Sequence, residues 1–458
     1  MQLPRTSYIL IFGLGRSGLS MARFLAARGY TVKATDADAA KHVHASELNA
    51  LGIDTRIGYH DSDTFIRAGA IVVSPGIPLD TPHLMQAKAA GVPLFGDLDI
   101  FSQYNTTPVV AITGTNGKTT VTTLVRDMLE ASGISTFTGG NIGTPLVEYL
   151  MSHTPARVVV AEISSFQLDL ARRFAPETAV LLNVSPDHLD RYQDMADYCR
   201  SKWSIFKNQT PGHAAIINAD MDDSCQVQPP PASRIYEFSS TPGTRIHRGA
   251  KVENQIIHLI LPETPSAHPM QIDCENRVRV PGIHNLENIA AASLATLCAG
   301  GTLSGIMTAV KAFNGLPHRL TFVTETGGIA FYNDSKATNT DAVVRALGCF
   351  TKPVVLILGG REKDTDFSLL KPALSQVRHI IAMGESARHI HEVLSSVSQV
   401  EVVSDMKAAV TAARAAAMPG DAVLLSPACA SFDLFKNYAD RGEAFTRHVQ
   451  ELEAENHG

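Results

Sequence analysis

No stretch of this 458-residue chain approaches the ~20 consecutive apolar residues that a membrane-spanning helix needs. The nearest imitation is at the start, where Arg5 precedes the apolar run Tyr8 to Leu14. Arg16 and three glycines break that run and no small-residue cleavage site follows, so we expect a cytoplasmic protein with no membrane insertion. An excess of one charge is missing too. The net charge of -6 leaves no basis for bulk attraction to nucleic acid or to an anionic membrane. The six cysteines (Cys199, Cys225, Cys274, Cys298, Cys349, Cys429) form no C-x-x-C pair and no short metal spacing, a pattern that fits reduced thiols and not a disulfide framework. Internal repeats and low-complexity segments are also absent. What remains is an ordinary globular composition, 45% hydrophobic and 18% charged, at a length that suggests about three domains.

The most informative stretch is Thr113-Gly114-Thr115-Asn116-Gly117-Lys118-Thr119-Thr120. The apolar run Val109 to Ile112 leads into it, and helical spacing continues from Val121 to Leu129. A glycine loop between strand and helix leaves backbone N–H groups free for phosphate oxygens, and the helix N-terminus adds partial positive charge. Lys118 supplies a full charge to the outer phosphates and Thr119 a hydroxyl for Mg²⁺. Ile112 stands where the usual pattern has its first glycine. An ordinary tight turn capping a helix is the plainer alternative, but the Lys-Thr pair at a strand-to-helix junction favours a nucleoside triphosphate.

Before this loop, strand-like residues 8–12 run into Gly13-Leu14-Gly15-Arg16-Ser17-Gly18, a helix follows, and a second strand ends in Asp36. This is a dinucleotide fingerprint, which places a nucleotide diphosphate at the helix N-terminus without saying which nucleotide. By itself it also suits a nicotinamide-dependent oxidoreductase, a reading that leaves the triphosphate loop unexplained. A later strand, Ala70 to Val73, ends in the turn Ser74-Pro75-Gly76.

After the phosphate loop comes the glycine-rich Gly139-Gly140-Asn141-Ile142-Gly143, then a buried-strand run ending in Glu162. There a carboxylate is well placed to hold Mg²⁺ or orient water. Another strand delivers His188, flanked by Asp187 and Asp190, to a strand end suited to metal or substrate. Lys202 sits on a helix predicted over about 195–208, sharing its face with Tyr198, Cys199, Ile205 and Phe206. On that stripe it either snorkels out of the core or is kept inside for a purpose. Residues 222–280 read as antiparallel strands and loops around the binding face. Asn285 and Asn288 then share one face near the start of an alanine-rich helix, where an amide reaches a base or phosphate or simply caps. Beyond a linker at Gly315 to Arg319, polar residues gather in loops at 333–339, 361–363 and 426–433 on a third α/β scaffold.

GTNGKTT, GGNIG, EISSFQLD, NVSPDHLDRY, GIHNLENIAAA, GLPHR, NDSKATN and SPACASFD stand in that order along the chain. Together they resemble the Mur ligases, ATP-dependent enzymes that each add an amino acid to a UDP-muramoyl precursor of peptidoglycan. The GLGRSG start, SPGIP, NDSKATN and SPACASFD look like the branch that adds D-glutamate to UDP-N-acetylmuramoyl-L-alanine. The resemblance implies an α/β protein of three domains: a small Rossmann-like UDP-binding domain at 1–95, a central P-loop ATPase-type domain at 96–315, and a Rossmann-like amino-acid-binding domain at 316–458. It implies ATP held by Gly114 to Thr120 together with Asn285, Asn288, Arg319, Asp334 and Lys336. It further implies two Mg²⁺ ions on Thr119, Glu162, His188 and a carbamylated Lys202, with Lys118, Glu162, His188 and Lys202 catalytic. Gly15, Arg16, Ser17, Asp36, Ser74, Gly76 and Asn141 would face the UDP-sugar, and Thr338, Lys363, Ser431 and Tyr438 the glutamate. The protein is then expected to act as a monomer on small molecules, with the linker at 316–319 as a hinge.

Overall fold

A computed structural model describes residues 3–152, 154–188, 191–222, 225, 233–262, 270–274, 282–362 and 365–455. Within them the chain builds three α/β units, each on its own sheet. The first sheet is parallel, in the order β3-β2-β1-β4-β5: β1 (Ile9–Phe12), β2 (Val32–Asp36), β3 (Asp54–Ile57), β4 (Ala70–Val73) and β5 (Leu94–Phe95). The apolar runs of β1 and β4 do not alternate because helices cover both faces, and every residue of both strands is buried. The strand order reverses direction at β1, so a crevice opens at its carboxyl end.

The second sheet carries nine strands: β6 (Val109–Thr113), β7 (Thr136–Gly140), β8 (Val158–Glu162), β9 (Thr178–Leu181), β10 (Ala214–Asn218), β11 (Arg234–Ser239), β12 (Gly249–Glu253), β13 (Ile256–Ile260) and β14 (Met270–Asp273). Their order, β14-β13-β12-β11-β10-β9-β6-β8-β7, puts the phosphate-loop strand β6 between β9 and β8. The ends that carry Glu162 and the loop leading to His188 therefore flank the phosphate loop. One expectation needs correction. β11 pairs parallel with β10, and β12 parallel with β11; only β12, β13 and β14 are antiparallel. β11 and β12 bury Tyr236, Phe238, Ala250 and Val252 in the core under the long helix Ile283–Cys298, and Phe238 also lines a cavity with Asn116 and Gly117.

The third sheet runs β15-β16-β20-β17-β18-β19: β15 (Thr321–Thr326), β16 (Ile329–Asn333), β17 (Val354–Gly359), β18 (Val377–Met383), β19 (Val400–Val402) and β20 (Ala422–Leu425). Only the β15–β16 hairpin is antiparallel. Its two faces have apolar clusters of their own, whereas one continuous cluster runs from Ile9 and Phe24 through Phe101 to Val159 and Phe206 and joins the first two units. No helix among the described residues is long and apolar enough to cross a membrane. The expectation of separate thiols is corrected at one pair. Cys199 and Cys225, 26 residues apart, form a disulfide with Cα atoms 5.5 Å apart. The fold brings them together by packing the turn after β10 on the helix Met195–Trp203, where Trp203 Nε1 donates to the Cys225 carbonyl at 2.5 Å.

Candidate active site

β6 is buried throughout and passes through the loop into the helix Lys118–Ala131. Gly117 has φ +85°, a conformation that favours glycine, and a Cβ there would lie 2.5 Å from Asn288 Oδ1 and push that amide aside. The loop tip is fixed by Asn183, whose Oδ1 accepts from Asn116 N (2.8 Å) and whose Nδ2 donates to Asn116 O (3.1 Å). Lys118 Nζ donates to the carbonyls of Gly114 and Thr115, both at 2.7 Å. Lys202 Nζ donates to the same Gly114 carbonyl at 2.9 Å and lies 4.5 Å from the centre of the Tyr198 ring. With only 2% exposure, Lys202 does not snorkel; it is kept inside. Burial depresses the pKa of Lys118, and pushes that of Lys202 far down with help from the charge of Lys118.

A cleft of about 580 Å³ opens beside the loop and gathers Asn116, Gly117, Thr120, Asn285, Asn288, Arg319, Asp334 and Lys336. Eight of the expected nucleotide residues thus meet around one volume, although they come from the second and third units. Asp334 accepts from Ser426 Oγ (2.8 Å) and Leu320 N (3.1 Å), yet burial raises its carboxyl to about 7. Burial lowers Lys336 to about 8, with the Arg319 charge as a second cause, and its ammonium sits 3.7 Å over the Tyr438 ring.

At the end of β8, Glu162 is 1% exposed; Oε1 accepts from Asn141 Nδ2 at 2.9 Å, while the buried Oε2 has no hydrogen-bond partner among the described residues. An orphaned carboxylate oxygen is what a hard cation requires. Among the described residues, however, no three His, Cys, Asp or Glu side chains converge as a metal cage. The donor set therefore fits Mg²⁺ only if a further acid joins it, as a carbamate on Lys202 would.

His188, at φ +56°, packs against Phe166 and lines two further cavities. One, of about 840 Å³, also holds Thr338, Asn339 and Asp187; the other, of about 1510 Å³, holds Gly76, Asp80, Asp169 and Arg191. The other expected residues are less gathered. Ser431 is buried and Tyr438 stacks under Lys336, and among the described residues neither lines the Thr338 cavity. Lys363 lies outside the described residues. Gly15, Arg16 and Ser17 open the helix Arg16–Ala27, with Arg16 donating to the Gly143 carbonyl (2.5 Å). Asp36 holds the fingerprint loop by accepting from Leu14 N (2.6 Å) and Asp38 N (2.8 Å), and Ser74 Oγ donates to the Gly13 carbonyl (2.8 Å).

Sequence comparison matches residues 7–96 to the Mur ligase MurD-like N-terminal domain, 112–296 to the Mur ligase middle domain, and 318–429 to the Mur ligase glutamate ligase domain. Two curated relatives extend over nearly everything. The UDP-N-acetylmuramoylalanine--D-glutamate ligase of Desulfosudis oleivorans is 41% identical over 98% of this chain and 97% of its own. The protein of the same name from Desulfatibacillum aliphaticivorans is 42% identical over 97% and 98%. The chain belongs to the Mur ligase family. Solved structures share the Mur ligase fold: a pseudomurein peptide ligase type C from Methanothermus fervidus has TM-score 0.60 at 19% identity. The UDP-N-acetylmuramate-alanine ligase of Thermotoga maritima has TM-score 0.59 at 18%. Each spans 97% of this chain and all of its own.

In this Mur ligase several polar residues work between loops without having stood out in the sequence. Arg191 donates to the carbonyls of Pro75 and Ile77, both at 3.1 Å, and stacks 4.1 Å over Phe166, tying the His188 loop to the first unit. Arg441, fully buried, donates to Ser335 Oγ (3.0 Å) and to the carbonyls of Ser335 (2.8 Å) and Ala430 (3.3 Å), joining two loops of the third unit. Each reaches a partner 116 or 106 residues away, so short-range spacing gives no sign of either.

Proposed function

We propose that this Mur ligase uses ATP to join D-glutamate to UDP-N-acetylmuramoyl-L-alanine, releasing ADP and phosphate. The observation that carries the reading is the position of His188. It is common to a cavity facing the first unit and a cavity facing the third, beside a nucleotide cleft built on the phosphate loop. Relatives of 41% and 42% identity bearing that enzyme's name support the choice of amino acid.

A carboxylate does not react with an amine at neutral pH because its oxygen is a poor leaving group. Phosphorylation of the L-alanyl carboxylate by ATP gives an acyl phosphate. The D-glutamate amine attacks it, and the tetrahedral intermediate expels phosphate. Gly114 to Thr120 cradle the phosphates, with Lys118 released from the loop carbonyls to meet the charge that builds on transfer. Asn285, Asn288, Arg319, Asp334 and Lys336 surround the rest of the nucleotide. Gly15, Arg16, Ser17, Asp36, Ser74, Gly76 and Asn141 serve the UDP-sugar, and Thr338, Lys363, Ser431 and Tyr438 the glutamate. Thr119, Glu162, His188 and a carbamylated Lys202 would hold two Mg²⁺ ions, which would supply charge neutralisation at the transferred phosphoryl group. Burial, helped by the charge of Lys118, shifts Lys202 toward the neutral amine, the form that takes up CO₂. The enzyme would work in the cytoplasm as a monomer.

The test is phosphate release with UDP-N-acetylmuramoyl-L-alanine and a panel of amino acids. Turnover with D-glutamate alone is expected; turnover with L-alanine, a diamino acid or D-alanyl-D-alanine instead would reassign the chain to a sister activity.

A further inference from the structure

Asp341 and Arg345 lie one turn apart on the helix Thr340–Leu347 of the third unit, and neither has a role so far. A single oxygen, Asp341 Oδ2, accepts from Asn116 Nδ2 at 2.8 Å, from Ser185 Oγ at 3.1 Å and from Arg345 Nε at 2.9 Å. Two of these donors belong to the second unit, and one of them is the tip of the phosphate loop. Asn339, which caps the same helix through Ala342 N (2.9 Å), adds another crossing bond from its Nδ2 to Asp187 Oδ2 (3.1 Å). Arg345 extends the chain of contacts. Its Nη1 lies 3.6 Å from Glu287 Oε2 on the helix Ile283–Cys298, and its side chain lines the nucleotide cleft with Asn288 and Arg319. The loop tip is thus gripped from both sides, by Asn183 on its backbone and by Asp341 on its side chain.

The geometry points to Asp341 and Arg345 as positioning residues that latch the third unit onto the tip of the phosphate loop. Lys336 and Thr338 precede the helix by a few residues, so the latch sets where those side chains stand relative to bound nucleotide. The inference rests on the nucleotide reading of the cleft. Asp341 is 25% exposed, and a partly exposed carboxylate adds little to folding, but small errors of placement between reacting groups are costly.

The experiment uses the full chain, with steady-state kinetics, binding of a fluorescent ATP analogue and thermal unfolding. Asp341→Ala is expected to raise the KM for ATP and for the amino acid about tenfold, the range of coupling between linked sites, with the KM for the UDP-sugar and the thermal midpoint unchanged. Asp341→Asn, which keeps an acceptor for Asn116 and Ser185, should lose less. Ser185→Ala removes a partner on the other side and leaves the helix intact; it should shift the same two constants in the same direction. A merely structural role would lower kcat through loss of folded enzyme and leave every KM in place. Wild-type KM values for ATP and the amino acid in both Asp341→Ala and Ser185→Ala would overturn the latch. If the wild type failed to turn over with D-glutamate, the functional reading would fall instead. The analogue-binding comparison would then still read the latch.

Discussion

At the scale of single residues, the site is marked by groups whose surroundings contradict their chemistry. Lys202 is a lysine whose amine is buried against a carbonyl and an aromatic ring. If it works as a carbamate, Lys202→Ala should abolish phosphate release, and added short carboxylic acids should restore part of it by occupying the vacated volume. Full activity in the variant would refute the role. Labelled bicarbonate should also give a carbamate carbon signal in the wild type that the variant lacks. Asp334 allows a test by pH. Its carboxyl, raised to about 7, keeps its proton in the fold at pH values where the unfolded chain, with an ordinary carboxyl near ~3.9, has lost it. The fold then binds more protons than the unfolded chain between those limits, so this group's stabilising contribution is full below ~pH 4 and is lost as pH rises through about 7. Asp334→Asn should therefore flatten the fall in thermal midpoint between about pH 5 and about pH 7.5 in the nucleotide-free protein. Equal slopes in both proteins would show that Asp334 does not titrate there.

At the scale of elements, the His188 loop is held to the first unit by the two bonds from Arg191 to the Pro75 and Ile77 carbonyls. Arg191→Ala should raise the KM for the UDP-sugar about tenfold while leaving that for ATP unchanged, because only the cavity containing Gly76 loses its brace. Arg191→Lys should not rescue it, since one ammonium cannot reproduce a planar fork across two carbonyls. A matching rise in both constants would mean that the loop had unfolded. The same contacts show what was and was not legible in the sequence. Strands such as Ala70–Val73 and Ala422–Leu425 announced themselves because burial on both faces leaves uninterrupted apolar runs. The strand-loop-helix around Gly114 to Lys118 and the strand ending in Glu162 were legible because buried apolar runs give way there to glycine and polar residues. The parallel pairing of β11 and β12 was not, because strand direction is set by long-range partners and not by local pattern. For the same reason the Cys199–Cys225 pairing, Arg191, Asp341 and Arg441 escaped notice. Each has a partner between 26 and 225 residues away, and spacing carries no trace of that partner.

At the scale of the molecule, the first two units share a core, whereas the third has its own. Relative movement is therefore expected at the third unit, and the chain entering it is unusual. Gly315, His318 and Leu320 all adopt positive φ, and a left-handed conformation at His318 and Leu320 is strained for a side-chain-bearing residue. With ATP and the UDP-sugar present, small-angle scattering should report a more compact particle than without them. Identical profiles would argue against closure about this linker.

His188 lines two cavities, one reaching Gly76 and Asp80 of the first unit and the other Thr338 and Asn339 of the third. Compounds designed for either cavity alone would compete with one substrate and could be displaced by its accumulation. A compound with an arm in each cavity, joined by a short linker over the imidazole, escapes that weakness, because neither substrate can evict it singly. Its potency would grow with the effective concentration that one arm confers on the other. The histidine common to both cavities is where the two arms of such an inhibitor would meet.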